Sequence, residues 1–174
     1  MLLSDFWAQQ QFSYLVTYSF QRGPKLIALK KQLQQELVTA RYMRRAAIQR
    51  QIDELKRPSL TLTKGLGPVH STATAVARLA AGSVEAQQLS YELQISTKQE
   101  WYAMCTPIYR DALAFYNEAN ELISILNIYF HCCFMCTDQL EAVEADMATY
   151  DILRAFLIRL GCTDNYLCVR EQSG

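Results

Sequence analysis

Chain-breaking residues are scarce. The 174 residues include six glycines and four prolines, well below the usual share. With abundant Ala, Leu, Gln and Glu, that scarcity favours long helices. Histidine is scarcer still: His70 and His131 are the only two, so imidazole-based acid–base and nucleophilic chemistry has little to draw on. No apolar run reaches the ~20 residues of a membrane-spanning helix. The longest, Leu122 to Cys136, is interrupted by Asn127 and His131 and reads as a buried core helix. Met1 to Gln10 carry no basic segment ahead of an apolar one, so no targeting signal is expected. Gly65-Leu66-Gly67-Pro68 lacks the later glycine and the preceding strand of a phosphate-binding fingerprint. There is no internal repeat and no low-complexity tract.

What is present is a core and an uneven charge. Hydrophobic residues make up 51% of the chain, enough for one domain. Net charge is zero, but residues 1–64 hold eleven Lys/Arg against four Asp/Glu, or +7. Residues 65–174 hold six against thirteen, or −7. The two halves either attract each other or give the protein one basic and one acidic face.

Helical patterning dominates. Ser4 suits the N-cap of a first helix near Asp5. Phe12, Tyr14, Val16, Tyr18 and Phe20 alternate as a strand would. No second strand is legible, however, and a lone strand leaves its backbone groups unpaired, so the reading is helix. From Lys25 to Arg57 there is neither Gly nor Pro. Apolar residues recur there with a 3.6-residue period, as in Leu26, Leu29, Leu33, Leu37, Met43, Ile48 and Ile52. This predicts one basic amphipathic helix ~50 Å long, with Pro24 in its first turn. An Ala-rich helix is expected from Thr72, broken near Gly82, with Ser83 as cap and Glu85 in the next first turn. It resumes to about Cys105. Thr106-Pro107 opens a helix to Cys136, Thr137 caps the last one, and Gly161 ends it.

The expected fold is therefore an all-α bundle of about five helices with one long basic amphipathic helix. It forms a single domain over residues 1–174: basic helices in 1–57, a loop in 58–71, an acidic helical bundle in 72–162 and a short tail in 163–174.

The leading functional expectation is a non-catalytic protein–protein interaction or assembly module, oligomeric or a subunit of a larger helical complex. Its contacts would come from Phe6, Trp7, Phe12, Tyr14 and Tyr18 of the aromatic N-terminus. Leu26, Leu29, Leu33 and Leu37 of the long helix would add a coiled-coil-like seam. The alternative is nucleic-acid binding. Lys30, Lys31, Arg41, Arg44, Arg45 and Arg50 along one rod are suited to tracking phosphates. A second alternative is a zinc-stabilised domain, since Cys133 and Cys136 lie three apart, and Cys162 and Cys168 supply another pair. The six cysteines otherwise read as free thiols, many of them filling a core. Paired carboxylates such as Glu141/Glu144 read as a solvated face. No catalytic residue, cofactor, metal or small-molecule substrate is expected, and the location is cytoplasmic or nuclear.

Overall fold

The alternation over residues 12–20 is a strand. Its large and β-branched side chains suit a pleated surface, and three further stretches read as helix supply its sheet. The computed structural model describes residues 1–55, 61–94 and 106–162. In chain order the elements are α1 (Leu3–Ala8), β1 (Tyr14–Ser19), α2 (Gly23–Thr39), α3 (Tyr42–Glu54), β2 (Thr74–Ala80), α4 (Val84–Gln94), β3 (Asp111–Tyr116), β4 (Leu122–Tyr129), β5 (Phe134–Thr137), β6 (Ala142–Val143) and α5 (Met147–Arg159). The six strands form one antiparallel sheet in the order β2-β1-β3-β4-β5-β6.

The all-α bundle is thus overturned, and each departure has a cause. The helix expected over residues 106–136 is the β3–β4 hairpin followed by β5. Both hairpin strands are covered on two faces. Leu113, Phe115, Leu126 and Ile128 belong to one core cluster, and Ala112, Ala114 and Ile125 to another. A strand buried on both faces shows neither a two-residue nor a 3.6-residue period. The turn between them is built by asparagine: Asn117 Oδ1 accepts from the Glu121 amide at 2.9 Å, and Asn120 has φ +60°, a conformation asparagine tolerates.

The Ala-rich helix expected from Thr72 is β2. Ala80, Ala77 and Ala75 stand opposite Tyr14, Thr17 and Tyr18 of β1, and Ala114 and Ala112 flank β1 on its other side. Small residues leave room for the tyrosine rings, so pairing overrides alanine's helical preference. Tyr14 stacks on Tyr116 at 4.9 Å between ring centroids, and the Arg78 guanidinium lies 3.6 Å from the Tyr14 ring centre.

One face of the sheet is closed by α1, α4 and α5. Phe6, Trp7 and Phe12 pack edge-on around Phe115, with centroids 5.2–5.9 Å away. Leu89, Leu93, Leu153, Phe156 and Leu157 complete that cluster. Across the sheet, Phe20, Leu62, Ala73 and Tyr109 cover β3, β4 and β5. Asn127, fully buried, ties Leu62 down by accepting from its amide at 2.8 Å. Beyond β6, Leu2 makes a short parallel bridge to Glu144.

Local signals hold in part: α1 has Leu2 at its N-cap with no side-chain cap, so Ser4 lies inside the helix rather than capping it, whereas others stand. Ser83 caps α4, accepting from the Ala86 amide at 3.2 Å. Pro24 lies in the first turn of α2. At the end of α5, the Gly161 amide donates to Ile158 and the Cys162 amide to Leu157. With Gly161 at φ +101° this is the expected glycine stop. Thr137 caps a turn rather than a helix: its hydroxyl accepts from Gln139 and Glu141, while Asp146 caps α5. Among the described residues no helix is long and apolar enough to cross a membrane. The expected tail 163–174, the helix expected through 95–105 and the stretch 56–60 lie outside the described residues.

Candidate functional site

The single long helix is also overturned. It is a helical hairpin, α2 and α3 packed side by side, inserted between β1 and β2. No Gly or Pro makes the break. Instead Thr39 turns its hydroxyl back onto the carbonyls of Gln35 and Glu36, a bond that competes with helix propagation. Ala40 (ψ 142°) and Arg41 (ψ 158°) are then extended. Folding the rod back lets its apolar stripe face itself. Leu33 of α2 and Ile48 of α3 are the buried side chains of the hairpin. A coiled coil along an unbroken rod is excluded with it.

Two of the tip arginines hold this turn. Arg45 Nε donates to the Leu37 carbonyl at 3.1 Å, satisfying an acceptor that the end of α2 leaves over. Arg44 lies 3.4 Å from the Glu36 carboxylate, an exposed pair of small energetic worth. Lys30, Lys31, Arg41 and Arg50 are exposed. At the base of the hairpin, Lys25 Nζ donates to the Ala73 carbonyl at 2.6 Å. His70 sits beside Glu54; burial lowers its pKa and the glutamate opposes that shift.

The hairpin carries apolar side chains that nothing described covers. Ile27 is 68% exposed, Val38 76%, Tyr42 88% and Met43 84%. Leu26, Leu29 and Leu37 are half-buried. No residue of α2 or α3 belongs to either core cluster. We call this hairpin the arm.

The other sequence-derived candidates scatter. Phe6 and Trp7 are core residues, and Phe12 packs against Trp7 and Phe115, so the expected N-terminal aromatic surface is folded inward. Tyr14 and Tyr18 are half-buried on the opposite sheet face, where the Tyr18 and Tyr116 hydroxyls meet at 3.2 Å. The zinc set does not assemble. Cys136 and Cys162 lie in different core clusters. Cys133 Sγ is 3.3 Å from Met147 Sδ, and Cys168 lies outside the described residues. Among the described residues no group of three His, Cys, Asp or Glu is placed to hold a metal ion. Cys132 is disulfide-bonded, which corrects the expectation of free thiols throughout. Burial pushes the Cys162 thiol up to about 11 and raises that of Cys136 as well, which keeps both as inert thiols.

Two features had no signal in the sequence. Asp111, fully buried at the start of β3, pairs with Arg22, which also bonds Ser19. Among the described residues its Oδ2 and the Nε of Arg110 are buried without a hydrogen-bond partner. An open cleft of about 510 Å³ lies between the α1–β1 connection and α4. It is lined by Trp7, Phe12, Tyr91 and four glutamines and, among the described residues, by no charged side chain.

Sheet and arm together define a class: a mixed α/β chain on a six-stranded antiparallel sheet, with a basic helical hairpin inserted between two hydrogen-bonded strands. No family model, curated protein or solved structure matches this chain.

Proposed function

We propose that the chain is a non-catalytic protein-docking module whose working part is the arm. The observation that carries this is the exposure of Ile27, Val38, Tyr42 and Met43 beside exposed cations. Tyr, Met and Arg are enriched in the buried centres of protein interfaces. Apolar surface left on a monomer and rimmed by charge is how such sites look before they are occupied. The reactive groups elsewhere support a non-catalytic reading. The thiols of Cys136 and Cys162 are interior and held protonated, and the buried carboxylate of Asp111 is engaged by Arg22.

The test is site-specific photo-crosslinking of the full chain in the cells that make it. A photoreactive amino acid replaces Tyr42 at the tip of the arm or, as a control, exposed Ser71. Protein adducts from position 42 and none from position 71 are expected. Adducts to nucleic acid from position 42 would replace this reading with a phosphate-tracking one, and the absence of adducts there would overturn it.

A further inference from the structure

Resting on the docking reading, we infer that the arm's partner is the acidic end of a second copy of this chain, joined head to tail. The argument begins with where the charges lie along the strands. β1 ends at Ser19, opposite Asp111 of β3, and the arm leaves from there. Residues 23–54 hold seven Lys/Arg and three Asp/Glu, a net of +4. The far end of the sheet is where β1 begins: Tyr14 stands opposite Tyr116, and Tyr116 opposite Leu122. The β3–β4 turn is there, carrying Glu118 and Glu121. Leu126 stands opposite Thr137, which brings the β5–β6 turn, with Asp138 and Glu141, to the same end. Neither turn contains a Lys, Arg or His. A six-residue strand separates the two poles by about 20 Å.

Within one chain these charges do not meet. Among the described residues no ion pair joins Lys30, Lys31, Arg41 or Arg50 to an acid of the sheet end. Arg22 and Asp111 pair across the two halves, but among the described residues the attraction between the arm and the sheet end is unspent. Each pole also has an apolar centre. Tyr42 and Met43 stand among the arginines of the arm tip, and Leu140, 65% exposed, stands between Asp138 and Glu141. Opposite charge around facing apolar contacts gives attraction and register together. Because the two poles are different surfaces, the contact is heterologous, so copies add in one direction until a ring closes or a filament grows.

Two full-length variants test this. One carries Lys30→Glu, Lys31→Glu, Arg41→Glu and Arg50→Glu, leaving Arg44 and Arg45 to hold the turn. The other carries Glu118→Lys, Glu121→Lys and Glu141→Lys. Far-UV circular dichroism first establishes that each folds, and sedimentation velocity then reads mass against concentration. The wild-type chain should form species larger than a dimer at about 50 mM salt and shed them at about 500 mM, where screening shortens to a few Å. Each variant alone should be a monomer. Mixed together they should associate again, because the unaltered arm of one variant meets the unaltered acidic end of the other and the reversed arm meets the reversed end, each pair opposite in charge. A wild-type chain that stays monomeric at low salt overturns the second-copy inference, while protein adducts at Tyr42 would still uphold the docking reading. Variants that associate as the wild type does would overturn it as well.

Discussion

At the scale of single residues, Asp111 is the most consequential buried group. Desolvation raises its carboxyl to about 7, outweighing the opposing charges of Arg22 and Arg110. The folded chain therefore holds this proton more tightly than the unfolded chain, in which the group titrates near 3.8. For a raised pKa the associated stability is fully present below the unfolded value and is lost as pH rises through the folded one. Asp111→Asn mimics the protonated acid and removes that loss. The melting temperature of the wild type relative to Asp111→Asn should fall between about pH 4 and about pH 7 and level off above. A flat difference would mean that Asp111 is ionised across this range in the folded chain as in the unfolded one. Nothing in the sequence announces this group, because Asp111 and Arg22 are 89 positions apart. Ser83, Pro24 and Gly161 were legible because their partners lie within a few residues. Thr137 shows the limit of that reasoning: a hydroxyl that caps backbone amides serves a turn as readily as a helix.

At the scale of elements, periodicity located the apolar faces better than it located the elements. Leu26, Leu29, Leu33, Leu37, Ile48 and Ile52 do line helices, but the rod doubles back at Ala40–Arg41, where no breaker residue stands. A direct check is Arg41→Pro. Arg41 has φ −68° and follows an extended residue, both of which proline accepts. The variant should keep its helical signal and gain up to about 1 kcal/mol. In a continuous helix the same change would cost about 3 kcal/mol, so urea unfolding separates the two cleanly. The strands were harder to read. β1 alternated visibly, but its partners did not: β3 and β4 are apolar on both faces, and β2 is rich in alanine. The Asn117–Asn120 turn between two apolar runs was the available hairpin signal.

At the scale of the whole molecule, the charge asymmetry was plain in the sequence, whereas its arrangement needed the sheet. Only the strand order shows that residues 117–121 and 138–141 share one end and that the arm leaves from the other. The candidate interface was legible in the same partial way. The leucines of the long helix do belong to the arm. Phe6 and Trp7 instead went to the core, because a sheet face needed covering.

The arm's insertion between paired strands also bears on how the chain folds. Ser19 and Thr74 are register partners, yet residues 20–73, or 54 residues, separate them. Closing such a loop costs about 3 kcal/mol more in chain entropy than closing a two-residue turn. A hairpin that forms early brings residues 23 and 54 together and removes most of that span from the search. The arm would then act first as a folding clamp for the β1–β2 pair and only later as a surface. Leu33→Ala should accordingly slow refolding as well as lower stability, as measured by stopped-flow dilution from urea. An unchanged refolding rate with faster unfolding would place arm formation after the sheet has closed.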